Sequence, residues 1–102
     1  MIVTVFRSRL NAQHAVAYYE MASRMRRLAE SMPGFISFKT FQAEDGERVS
    51  LVEFESEEAL QAWREHPEHR KAQELGRTAF YDEFQIQVCS IIRQYGSKLP
   101  SA

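Results

Sequence analysis

The order of elements written into this chain predicts an α+β fold of the ferredoxin-like type, β-α-β-β-α-β, in which an antiparallel sheet carries helices on one face and two subunits close sheet to sheet into a barrel. Three observations predict it. Runs rich in β-branched and aromatic residues recur at Ile2 to Leu10, Phe35 to Ala43, Arg48 to Glu55 and Phe84 to Ile92. Stretches with apolar residues at three- and four-residue steps separate the first run from the second and the third from the fourth. Apolar residues fall on both faces of the strands, with Ile2, Phe6 and Leu10 alternating with Val3 and Val5, and Phe35 and Phe41 with Ile36 and Phe38. Helices cover one face, so the other needs a second copy of the chain.

Each element has a local cause. Asn11 is a good N-cap for the helix expected from Ala12 to Met32, whose inward stripe is Ala15, Tyr18, Ala22, Met25, Ala29 and Met32. Arg24, Arg26 and Arg27 lie in its C-terminal half, where the helix dipole favours cations. Pro33-Gly34 stops it, and Asp45-Gly46 marks a hairpin between the second and third strands. Ser56 caps a helix that opens with Glu57-Glu58 and carries Ala59, Leu60 and Trp63 inward. His66-Pro67 breaks that helix. Pro67 suits the first position of another, running to about Leu75, with Gly76 as its terminator. Residues 1–93 form the domain and 94–102 a polar C-terminal tail.

Composition removes several functions. The 102 residues contain 13 Lys+Arg and 14 Asp+Glu, a net charge of -1 that gives no overall positive field for nucleic acid. The single cysteine, Cys89, cannot form an internal disulfide and reads as a small buried hydrophobe, which fits a cytoplasmic protein. No apolar run approaches a membrane span. No flavin or nicotinamide glycine fingerprint is present. The expected partners are a second subunit, a small aromatic substrate and O2, with no nucleic acid, no membrane and no cofactor.

The segments Leu28-Ala29-Glu30-Ser31-Met32-Pro33-Gly34-Phe35, Ser56-Glu57-Glu58-Ala59, Trp63-Arg64-Glu65-His66, His69, Ala72-Gln73, Gly76-Arg77 and Phe80-Tyr81 resemble the antibiotic biosynthesis monooxygenase family, over the chain to about Arg93. The resemblance implies a dimeric α/β barrel and a small cofactor-independent monooxygenase that oxidises a phenolic or quinol-like aromatic with O2. A non-catalytic dimer binding a hydrophobic metabolite is the alternative, and a haem-degrading monooxygenase the second. Against the haem-degrading branch, the position of its axial histidine falls at Gln73 and that of its pocket asparagine near Ser8. Where the family often has tryptophans this chain has Phe54 and Phe80, which keep aromatic walls for a substrate and lose an indole donor at each.

Within that frame, the catalytic candidates are His66, His69, Arg77 and Tyr81. Either imidazole titrates near neutrality and could take a phenolic proton, and their spacing of three would put them on one face of a continuous helix. A metal there lacks a clustered third ligand, so no metal site is expected. Arg77 and Tyr81, expected in a loop before the last strand, could stabilise a phenolate or reduced oxygen. Trp63, Phe54 and Phe80 are the expected substrate-binding walls. Arg7, Arg9 and Lys39, with Ser50, Glu53, Gln85 and Gln87, would make a cavity partly polar, and a cation pointing inward would favour an anionic aromatic. Inward placement of His66 and Arg77 beside Trp63 favours an enzyme; outward placement favours binding alone.

Overall fold

A computed structural model describes residues 1–98. Four strands form one antiparallel sheet in the order β2-β3-β1-β4: β1 is Ile2–Leu10, β2 Phe35–Gln42, β3 Arg48–Phe54 and β4 Tyr81–Ser90. Helices α1 (Ala15–Ser31), α2 (Glu57–Glu65) and α3 (Pro67–Leu75) pack on one face. This is the expected ferredoxin-like topology. Asn11 and Ser56 act as caps: Asn11 Oδ1 accepts from the Gln13 amide at 3.0 Å, and Ser56 Oγ from the Ala59 amide at 3.2 Å. The first expected helix divides, however, into a single 3-10 turn at Ala12–His14 and then α1.

The pairing register sorts the side chains. Ile2, Thr4, Phe6 and Ser8 of β1 share the helix-covered face with Ser50, Val52 and Phe54 of β3, while Val3, Val5, Val49 and Leu51 share the open face. A register shift between Phe35 and Ser37 turns Phe35 and Phe38 to the same, helix-covered side. Strict alternation therefore misplaces Phe38 relative to Phe35: the bulge inserts a residue and changes the phase. Gly34 makes the preceding turn at φ 84°, and its carbonyl accepts from the Glu55 amide at 2.8 Å.

The dry core lies under α1 and α2, over the β2-β3 half of the sheet, where Met25, Ala29, Val52, Phe54, Leu60 and Trp63 pack together. Over the other half the cover is thin. Phe84, Ile86 and Val88 of β4 stay 44%, 43% and 44% exposed although they point to the helix side. The helices thus shelter one half of their sheet face and leave a hollow over the other. Beyond β4, residues 91–98 form no regular element, and 99–102 of the expected tail lie outside the described residues.

Candidate functional site

The hollow is a cavity of about 220 Å³ between the sheet and α1, α2 and α3. Its floor comes from the inward side of the sheet, including Thr4, Phe6, Ser50 and Ile86, and its roof from Tyr18, Trp63, His69 and Phe80. A mostly apolar hollow with few polar groups suits a small aromatic ligand.

Of the residues expected at a site, Trp63, His69, Arg77, Phe80 and Tyr81 line this cavity, and His66 and Phe54 do not. His66 ends α2 and starts α3 in a non-helical conformation, φ -58°, ψ 136°, and its Nδ1 accepts from the Glu68 amide at 3.2 Å. The two histidines therefore share no continuous helix, and His66 is engaged as a cap. Phe54 lies one layer deeper, fully buried, its ring 5.7 Å from that of Trp63. Among the described residues no group of three metal-binding side chains comes together. Of the polar strand residues expected around a cavity, Ser50 alone lines it; Arg7 and Arg9 instead pair with Glu47, Asp45 and Glu83, and Lys39 lies over the Phe41 ring.

Trp63 is held rather than free. Its indole Nε1 donates to the Met25 carbonyl at 3.3 Å, and its ring packs edge-on to Phe38. The indole is thus a wall whose one donor is already engaged. His69 stands edge-on to that wall, 4.2 Å between centroids, with Nδ1 buried and without a partner. Burial, with the charges of Arg64 and His66, pulls its pKa down to about 4. The imidazole is neutral at pH 7 and is one of the few polar groups in the cavity wall. Thr4 Oγ1 is likewise buried and unpartnered.

Tyr81 is brought in by a detail that propensity does not foretell. Gly76 does not terminate the chain's helical path: at φ -58° it continues into one turn of π-helix, Gly76–Phe80, and Tyr81 opens β4. Arg77 and Tyr81 are therefore on regular elements, not in a loop. A Cβ at Gly76 would lie 2.8 Å from the Tyr81 ring, so glycine is needed for close approach. Burial, then the neighbouring Tyr18 phenol, raises the Tyr81 pKa, and Tyr81 stays a neutral donor. Its ring meets Phe6 at 5.2 Å and Tyr18 at 5.7 Å. Arg48 stacks against Tyr18 and Tyr19 at 5.7 and 5.4 Å and carries a buried, unpartnered Nε.

Sequence reasoning missed Thr4, Arg64 and Gln73 as wall residues, and it read Tyr18 as core alone. Thr4 carried a signal, a hydroxyl on the inward side of a strand between Ile2 and Phe6. Arg64 carried none, since it follows the buried Trp63 on α2 and is itself exposed.

Comparison with known proteins decides the family. The model of the antibiotic biosynthesis monooxygenase family matches residues 1–75. The chain belongs to this family. It is 32% identical over 87 residues to the uncharacterized protein YqjZ of Bacillus subtilis (strain 168), covering 85% of this chain and 76% of that protein. Among solved structures, Rv0793 of Mycobacterium tuberculosis superposes with a TM-score of 0.81 at 16% identity, covering 93% of this chain and 98% of that one. SnoaB of Streptomyces nogalater, a cofactor-independent oxygenase, superposes with a TM-score of 0.77 at 11% identity, covering 94% and 97%. At these identities the structural likenesses establish the shared fold.

Proposed function

We propose that this family member is a small monooxygenase that uses O2 on a phenolic or quinol-like aromatic bound in the cavity, with the substrate itself as reductant and no added cofactor. The observation that carries the reading is the neutral, half-buried His69 in the cavity wall, edge-on to Trp63. His69 takes the phenolic proton. Its low basicity reflects desolvation, and a phenolate formed beside it favours the imidazolium by direct charge attraction. The phenolate transfers one electron to O2, and aryloxyl and superoxide recombine into a carbon-bound peroxide that takes the proton back from His69. Loss of the hydrogen on that carbon as a proton breaks the O–O bond, and the departing hydroxide takes up that proton as water, so phenol plus O2 gives quinone plus water with no outside electrons. Tyr81 and Arg77 donate to the developing negative charge, and Trp63 and Phe80 exclude bulk water.

Two placements weigh differently. Arg77 lines the cavity, as an enzyme requires, whereas His66 is committed to its cap, so the base in this reading is His69. The low basicity of His69 is the observation that favours the second reading, a dimer that binds a hydrophobic metabolite without turning it over. A haem-degrading reading needs an imidazole at Gln73, and the wall there presents an amide. The open sheet face, with Val5, Val49 and Leu51 only partly buried and Phe41 49% exposed, supports a homodimer closed sheet to sheet.

The test is oxygen uptake by chelator-treated protein with anthrones, hydroquinones and dihydroxynaphthalenes, with haem added in a separate arm. Uptake without haem, accompanied by quinone absorbance, supports the oxygenase. Binding of these compounds with no uptake supports the metabolite-binding dimer.

A further inference from the structure

The electron-transfer step calls on one guanidinium at most, yet the cavity has two. Arg64, at the end of α2, and Arg77, in the π turn after α3, both line it and both remain exposed, which sets their charges between its wall and solvent. No Asp or Glu stands in the wall. Among the described residues neither arginine pairs with a carboxylate, whereas Arg7 and Arg9, on the open face of the sheet, each hold one at 2.8 Å. The charge of Arg64 is felt inside, where it helps keep His69 unprotonated. Unneutralised guanidiniums over a low-dielectric hollow select a planar anion, which their fixed donor geometry matches.

We propose that the substrate carries a fixed negative charge of its own, an aryl carboxylate or an equivalent oxyanion. Its anionic group lies at the mouth between Arg64 and Arg77, and its ring lies inside against Trp63. Thr4 and His69, polar residues of the inner wall, face the far end of the ring. A volume of about 220 Å³ suits a small fused-ring system. The inference rests on the cavity being the substrate site and not on turnover.

The experiment compares two unreactive bicyclic ligands of nearly the same shape, 2-naphthoate and 2-naphthamide, by quenching of the single tryptophan, Trp63, at low ionic strength. The expected result is at least tenfold tighter binding of the naphthoate, with that preference abolished in Arg64→Gln/Arg77→Gln while naphthamide binding stays within twofold. Equal affinities, no binding of either ligand, or a preference that survives the double substitution would overturn the proposal. Because neither ligand is a phenol, the outcome is independent of oxygen uptake. Charge-selective binding without uptake on any phenol would retain this inference and remove the oxygenase.

Discussion

His69 is neutral because its surroundings leave water little access to it and place the Arg64 charge nearby, and this has a thermodynamic consequence. The unfolded chain takes up a proton on this imidazole near pH 6.5 and the folded chain only near pH 4, so the unfolded state binds more protons between those values. Stability is therefore full above pH 6.5, falls as the pH drops toward 4, and changes no further from this group below that. Urea titrations should show the wild type losing about 3 kcal/mol more than His69→Gln between pH 7 and pH 4. Trp63 makes a complementary prediction. Trp63→Phe keeps an aromatic wall and deletes the donor to Met25, so stability should fall by about 1 kcal/mol in thermal denaturation. That histidine, tryptophan, arginine and tyrosine converge could be read from the residues. Which histidine faces inward could not: the break at His66-Pro67 is local, but whether His69 turns toward Trp63 depends on how α3 packs beside α2.

At the scale of elements, the strands, the two breaks at Pro33-Gly34 and His66-Pro67, and the caps at Asn11 and Ser56 were legible, since each rests on local chemistry. The bulge after Phe35 and the π turn at Gly76–Phe80 were not, because both are set by partners distant in sequence: β3 for the first, and Tyr81 packing with the Phe80 carbonyl accepting from the Asn11 amide at 2.8 Å for the second. The glycines at these joints are separable by mutation. Gly34→Ala meets both a positive φ and the Ala59 Cβ at 2.8 Å, and should cost about 3 kcal/mol. Gly76→Ala keeps an allowed backbone and collides with the Tyr81 ring alone, so it should cost about 1–2 kcal/mol. Calorimetry on the two variants checks the order; a larger loss at Gly76 would contradict the assignment of positive φ as the dominant constraint.

At the scale of the molecule, one sheet face is half sheltered by helices and the other is open, with Leu51 between Val5 and Lys39 near its middle. A face of that kind predicts a sedimenting species of twice the 11.9 kDa chain, shifted toward monomer by Leu51→Lys. A wild-type monomer at micromolar concentration would contradict the barrel. Within each subunit the cavity uses His69, and not the capping His66, to start the proposed oxidation of a phenol by O2. The most direct measurement is the oxygen-uptake rate of the chelator-treated protein on its best phenolic substrate, for wild type, His69→Ala and His66→Ala. Uptake is expected to fall at least tenfold in His69→Ala and to stay within twofold in His66→Ala. Undiminished uptake in His69→Ala would contradict this, as would a wild type that consumes no oxygen with any phenol.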